Sequence, residues 1–329
     1  MSYMHKKRKG NLALLIVILL LVLVFLYSGL RFLESTVFHR ADTPTETVSK
    51  TILRDGVAYF PRQDITVILL AGIDESGPVK ESASYNNTGE ADMISLLIFD
   101  HTAEVINIIN LNRDTMMDIP VLGIGGRQAG TIYGQLALAH TYGSGLEDSC
   151  ENLRTAVSEF LYGLQIDYYV SMNMDAIAML NDAVGGVTVE VTDDFSQVDS
   201  TIPQGTVTLR GQQAITFVRT RQGVGNQMNV TRMERQKEYM GGFMEAIKAR
   251  QEEGSEFVLN TYRQVADYMV TDCSATTITS LVDRYGDYAL SQVISPEGEN
   301  VKGEKYMEFY PDEEALDRLI LEYLYAPKD

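Results

Sequence analysis

Four arginines fall close together in the second half of the chain. Arg219 and Arg221 stand two apart in Phe217-Val-Arg-Thr-Arg221, and Arg232 and Arg235 stand three apart in Arg232-Met-Glu-Arg-Gln236. In an extended segment the first spacing sends both guanidinium groups to one side, and on a helix the second puts both on one face. Guanidinium forks hold phosphate oxygens in bidentate fashion. Converging arginines in an acidic chain therefore mark an anion site, or else neutralise neighbouring carboxylates. Asp74 and the pair Arg113-Asp114 each follow an apolar run, and Asp92 precedes another. Asp74 and Asp92 together offer two hard oxygen ligands for magnesium, which takes its remaining ligands from water and substrate phosphates. That set suits phosphoryl chemistry, in which metal and arginine hold a pyrophosphate while a base activates a hydroxyl. Each aspartate taken singly reads more readily as a turn or cap residue.

Those side chains need elements to position them. Residues 64–73 form a near-continuous apolar run, the pattern of a strand buried on both faces. Residues 93–99 and 104–111 predict two more strands joined by Asp100-His101-Thr102, while residues 75–90, rich in Gly, Ser, Asn, Glu and Pro, read as a loop. Cys150, Leu153, Val157, Phe160 and Leu161 recur at helical spacing and predict a helix over 146–162. A strand over 166–172, a helix over 175–183 closed by Gly185-Gly186, a strand over 187–191 and a long amphipathic helix over 231–250 follow. Further helices are expected near 257–269 and 276–288 and over 313–325. Strands interspersed with helices indicate a layered α/β domain with a largely buried sheet. Asp74 and Arg113-Asp114 then sit at strand ends, where ligand sites of such sheets usually lie.

Residues 12–30 are almost wholly Leu, Ile, Val, Ala and Phe, long enough to cross a bilayer as a helix. Lys6, Lys7, Arg8 and Lys9 precede the run. The positive-inside rule then makes residues 1–11 a cytoplasmic tail, 12–31 a retained single-pass transmembrane helix, and the rest extracytoplasmic. A polar stalk over 32–62 lifts the body, residues 63–329, off the membrane. The whole chain of 329 residues carries a net charge of −18 and is 45% hydrophobic, ordinary for a globular protein. All five bases of the first 31 residues lie in that anchor region, leaving 22 of the 27 bases against 45 acids beyond it. Such a body repels the nucleic-acid backbone. Cys150 and Cys273, both in segments that read as helical, are best taken as buried thiols. Gly123-Ile-Gly-Gly126 fits no phosphate-loop pattern and reads as a surface turn. The chain contains no Gly-x-Ser-x-Gly elbow and no His-Glu-x-x-His helix, which argues against the hydrolase and zinc-protease families built on them.

The motifs Ile68-Leu-Leu-Ala-Gly-Ile-Asp74, Ala91-Asp-Met93, Asn112-Arg-Asp-Thr115, Ala139-His-Thr-Tyr-Gly143, Ile166-Asp-Tyr-Tyr-Val170, Asp182-Ala-Val-Gly-Gly-Val-Thr-Val189, Leu209-Arg-Gly-Gln-Gln-Ala214, Val218-Arg-Thr-Arg221 and Arg232-Met-Glu-Arg-Gln236 occur in one order. In that order the chain, over roughly residues 63–329, resembles the LytR-CpsA-Psr family of cell-envelope proteins. The resemblance implies an α/β/α sandwich with a central mixed sheet and an apolar groove for a polyprenyl tail. It also implies a phosphotransferase at the membrane that moves a glycopolymer, such as wall teichoic acid or capsular polysaccharide, from a polyprenyl-pyrophosphate carrier to a peptidoglycan hydroxyl. By motif position Asp74 and Asp92 resemble the family's magnesium ligands. Arg113, Arg219, Arg221 and Arg232 resemble its pyrophosphate clamp, with Arg235 and Gln236 beside them. Asp114 is either the base or the residue that orients Arg113. Hydrolysis of the polyprenyl pyrophosphate and binding of lipid-linked polymer without turnover are the alternatives. The chain departs from the family's usual Arg-Ser-Asp-Thr at Glu90-Ala-Asp-Met93, which places a carboxylate where an arginine is common.

Overall fold

The computed structural model describes residues 51–327, except positions 85, 123–127, 221, 226–228, 251–256, 258–259, 262–263, 274–276, 278–279, 282–283 and 286–287. The expected transmembrane helix at 12–31 and Arg221 lie outside the described residues. No helix among the described residues is long and apolar enough to cross a membrane.

Six strands form the central sheet: β1 (Ile65–Ile73), β2 (Ala91–Asp100), β3 (Val105–Leu111), β4 (Tyr168–Asn173), β5 (Met269–Thr271) and β6 (Ala289–Ile294), in the order β5-β4-β1-β2-β3-β6. The sheet is mixed: β1 runs parallel to β4 and β3 to β6, while β1 with β2, β2 with β3 and β4 with β5 are antiparallel. β1 and β2 are apolar on both sides because both faces are covered. Alternate residues of β1 split between two cores. Ile68 and Leu70 belong to one, and Val67, Leu69 and Ala71 to the other.

The second of these cores is closed by α1 (Glu147–Phe160), through Leu153, Ala156 and Val157, and by Leu316 and Ile320 near the carboxyl terminus. The first is closed by α2 (Met174–Ala183), α3 (Gln212–Arg219) and α4 (Asn229–Lys248), with a hairpin pairing Val187–Val191 and Gly205–Leu209. The result is three layers, helix on sheet on helix, around a mixed sheet. Gly242 lets α4 come against the hairpin, since a Cβ there would meet the Thr188 carbonyl oxygen at 2.2 Å. The last helix is α5 (Glu313–Tyr323), whose N-cap Asp312 accepts the Ala315 N–H at 2.7 Å.

Several sequence expectations need correction. Ile52–Arg54 and Val57–Pro61, within the segment read as a stalk, are strands of a small sheet completed by Tyr325–Pro327. Their partner lies at the far end of the chain, so no local pattern announces it. Arg219 ends helix α3 instead of lying in an extended segment. The expected helix near 257–269 gives way at its end to a short 3-10 turn, Ala266–Tyr268, and to β5. Cys273 follows β5 and is not helical. Both thiols are free and buried, in cores on opposite faces of the sheet.

Candidate functional site

The charged residues singled out in the sequence gather where β1 ends and β2 begins. The two strands run in register up to Gly72 opposite Met93, and the next pair is Ile73 opposite Ala91, so Asp92 is the extra residue of a β-bulge. Bulges re-aim side chains beside active sites, and here Asp92 and Met93 both reach the same hollow. Asp74 continues the line, its N–H donating to the Glu90 carbonyl at 2.9 Å. Asp74 thus directly follows β1, opposite the start of β2 that carries Asp92.

Asp92 is the centre of a buried ion cluster. One carboxylate oxygen takes the Arg113 guanidinium, and the other accepts Arg232 Nη1 at 3.0 Å. Arg232 Nη2 also donates to the Asp92 carbonyl at 3.2 Å. The second fork nitrogen of Arg113 pairs with Glu90. Arg113 Nε, which is buried, makes no hydrogen bond and lies 3.6 Å from Asp114 Oδ1. Asp114 is itself buried, held by Gln135 Nε2 at 2.9 Å, and its N–H donates to Asn112 Oδ1 at 3.0 Å. Arg219 meets Asp74 at the open side of this cluster.

Arg235 and Gln236 do other work. Arg235 Nε donates to the Phe217 carbonyl at 2.9 Å, its fork reaches the Thr220 carbonyl and Asp193, and Gln236 Nε2 donates to the Val218 carbonyl at 3.2 Å. These are carbonyls at the end of α3, which the helix cannot satisfy itself. Arg235 and Gln236 therefore fix the helix end that presents Arg219. Arg232 and Arg235 both point inward from α4, as their spacing requires, yet they serve different partners.

From Asp92 and Arg219 an apolar groove of about 760 Å³, open to solvent, runs under α2 and α4. Met93, Met172, Met174, Ile177, Leu180 and Phe243 are among its walls, and Gly72 forms part of its floor. The methionine-rich stretch 172–179 was the available sequence signal for these walls, since flexible thioether chains fit irregular apolar ligands. Tyr239, also in the wall, donates to Asn181 Oδ1 at 3.3 Å, and burial pushes its phenol well above the ordinary range.

A second hollow, of about 1070 Å³, lies beneath the 75–90 loop. Behind it the buried His140 donates from Nδ1 to the Gly89 carbonyl at 2.8 Å, and burial holds the imidazole below its ordinary pKa. Among the described residues no group of three or more His, Cys, Asp or Glu side chains is placed to hold a metal ion.

A three-layer α/β/α arrangement around a mixed sheet, with an apolar groove, is what the motif resemblance implies. The chain belongs to the LytR_cpsA_psr family. The family model matches residues 26–320. Among curated relatives, the polyisoprenyl-teichoic acid–peptidoglycan teichoic acid transferase TagU of Oceanobacillus iheyensis is 28% identical over 213 residues, covering 62% of this chain and 60% of that one. TagU of Bacillus subtilis is 25% identical over 221 residues, covering 66% and 64%. The match thus spans less than two thirds of either relative. Among solved structures, protein gbs0355 from Streptococcus agalactiae superposes with a TM-score of 0.64 at 20% identity, covering 78% of this chain and 86% of that one. TagT bound to LI-WTA gives 0.58 at 21% identity, covering 83% and 94%. These likenesses establish that the LytR_cpsA_psr chain shares their fold.

Proposed function

We propose that this protein is a phosphotransferase that takes a glycopolymer from a polyprenyl-pyrophosphate carrier and joins it to a peptidoglycan hydroxyl. The observation that carries the reading is the continuity of the apolar groove with the cluster of Asp74, Asp92, Arg113 and Arg219. Such a site fits an amphiphile with a long hydrocarbon tail and a multiply charged anionic head. The names of the TagU relatives support the same substrate class.

In this reading Arg219, half-exposed, would grip pyrophosphate oxygens, and Arg113 would join it through the fork nitrogen that now pairs with the exposed Glu90. Arg221 joins them by motif position. Arg232 holds Asp92 rigidly and places it, and Asp114 with Gln135 positions Arg113. Two neighbouring carboxylates fit a magnesium ion that completes its shell with water and phosphate. Asp74 and Asp92 would hold it, and it would neutralise charge on the pyrophosphate. A transmembrane helix at residues 12–31 would keep the domain beside a substrate that cannot leave the bilayer surface, raising effective concentration.

The full-length protein in detergent, given a synthetic polyprenyl-pyrophosphate glycan and peptidoglycan oligomers with and without magnesium, tests this. A magnesium-dependent phosphodiester product, lost in Asp92→Ala and Arg219→Ala, is expected. Release of polyprenyl phosphate without joining to peptidoglycan would make the protein a hydrolase. Tight binding with no turnover would make it a binder.

A further inference from the structure

The second hollow shares no lining residue with the apolar groove, and its position relative to the groove is informative. Met172 of β4 lines the apolar groove, whereas its neighbours Ser171 and Asn173 line the polar hollow. Gly72 of β1 lines the groove, whereas Ile73 lines the hollow. Adjacent residues of a strand face opposite sides, so the two hollows lie on opposite faces of the sheet. They approach each other at the strand ends that carry Asp74, Glu90 and Asp92.

The hollow is pre-formed. Its loop is pinned by Gly77 N–H on Asp175 Oδ2 at 2.6 Å, Val79 N–H on the Asp267 carbonyl at 2.7 Å and Ser82 N–H on the Ser144 carbonyl at 2.7 Å. Asn87 Nδ2 reaches the carbonyls of His140 at 2.9 Å and Gly143 at 3.1 Å. The lining mixes hydroxyl, amide and carboxylate groups, among them Glu75, Ser82 and Thr88, with the apolar Ile73, Pro78 and Val79. A sugar ring matches that mixture, with hydroxyls at its rim and a C–H face.

We propose that this polar hollow is the acceptor subsite, which holds the sugar rings of the acceptor glycan and presents one hydroxyl to the phosphorus at the strand ends. The proposal rests on the phosphotransfer reading above. In-line displacement requires the attacking and leaving oxygens on opposite sides of the phosphorus. Two hollows on opposite faces of one sheet supply that arrangement, with the lipid leaving group on the groove side. The acceptor oxygen bonds to the phosphorus nearest the glycan. The bond from that phosphorus to the bridging oxygen breaks, and polyprenyl monophosphate departs with the electron pair. The hydroxyl proton is released to solvent water.

The test is calorimetric titration of the full-length protein in detergent with chitotetraose, an oligomer of β-1,4-linked amino sugars, and separately with farnesyl pyrophosphate. Ala83→Trp and Glu81→Trp, two exposed positions in the hollow's wall, should each weaken chitotetraose at least tenfold and leave farnesyl pyrophosphate unchanged. Chitotetraose that binds both variants like wild type, or does not bind wild type, overturns the proposal. In the turnover assay the same variants should raise the acceptor KM tenfold or more with the donor KM unchanged. If no variant or wild type consumes the donor, the phosphotransfer reading fails by itself, and the titration still decides whether the hollow takes sugar.

Discussion

Asp92 and Asp74 stand at the ends of neighbouring strands, yet their electrostatics differ. The Asp92 side chain is 7% exposed and grips two guanidinium groups, one of them on Arg232, which is 2% exposed. The Asp74 side chain is 34% exposed and pairs with Arg219, itself 45% exposed. Charges taken from water must be compensated within the protein, so each member of the buried set depends on the others. The exposed pair is screened and exchanges its partner for an incoming anion at little cost. One half of the cluster is therefore frame and the other is instrument.

The largest effect that could break this division is at Arg232. Arg232→Ala leaves Asp92 with an uncompensated share of charge, and removal of one partner of a buried pair costs about 3–5 kcal/mol. Urea unfolding should show a midpoint far below wild type. A stability within about 1 kcal/mol of wild type, the range for exposed pairs, would show that the buried half is not the frame.

Arg219→Ala should do the opposite. Stability should change by less than about 1 kcal/mol, while turnover falls on the order of 10²–10³-fold, as for loss of one donor to a developing anion. Equal losses of stability in the two variants would erase the distinction.

A partly exposed carboxylate away from the site sharpens it. Asp272 pairs with Arg154 at 3.0 Å and accepts the Tyr169 N–H at 2.8 Å. Burial outweighs these partners and pushes its pKa up to about 6. The folded state thus binds this proton more tightly than the unfolded chain, whose aspartates titrate near about 3.9. The contribution is complete below about pH 4 and is lost as pH rises through about 6, and solvent screening at this partly exposed position holds it to about 1 kcal/mol. Urea unfolding from pH 4 to 7 should show wild type losing stability relative to Asp272→Asn over that window. Parallel curves would place Asp272 with the screened groups.

The contrast also explains what the sequence could reveal. The inner strands were legible because burial on both faces leaves a continuous apolar run, as in residues 64–73. Asp74, Asp92 and Arg113 drew notice as ionisable groups bordering apolar runs, and Arg219 and Arg232 as closely spaced arginines in an acidic chain. The bulge that turns Asp92 toward the groove was not, since it depends on register between two strands. Nor was the work of Arg235, which besides Asp193 holds backbone carbonyls at the end of α3 that carry no side-chain signal. The hairpin of Ile52–Arg54 and Val57–Pro61 was hidden for a similar reason, because its pairing with Tyr325–Pro327 spans nearly the whole chain.

Glu90 is where the two halves touch, and it yields the smallest expected effect. Its side chain is 39% exposed, while the Arg113 it pairs with is 8% exposed. Arg113 keeps Asp92 whatever happens to Glu90, so Glu90→Ala should leave the fold intact. The substitution frees one guanidinium edge and removes a negative charge beside the anion site. A half-exposed pair contributes about 0.2–1 kcal/mol, so affinity for inorganic pyrophosphate should rise by a small factor, about 1.4- to 5-fold. The gain should shrink as ionic strength increases, because screening weakens the repulsion being removed. Calorimetric titration at low and high salt measures both. A loss of affinity would instead assign Glu90 to the frame, as the residue that holds the Arg113 fork in its binding orientation.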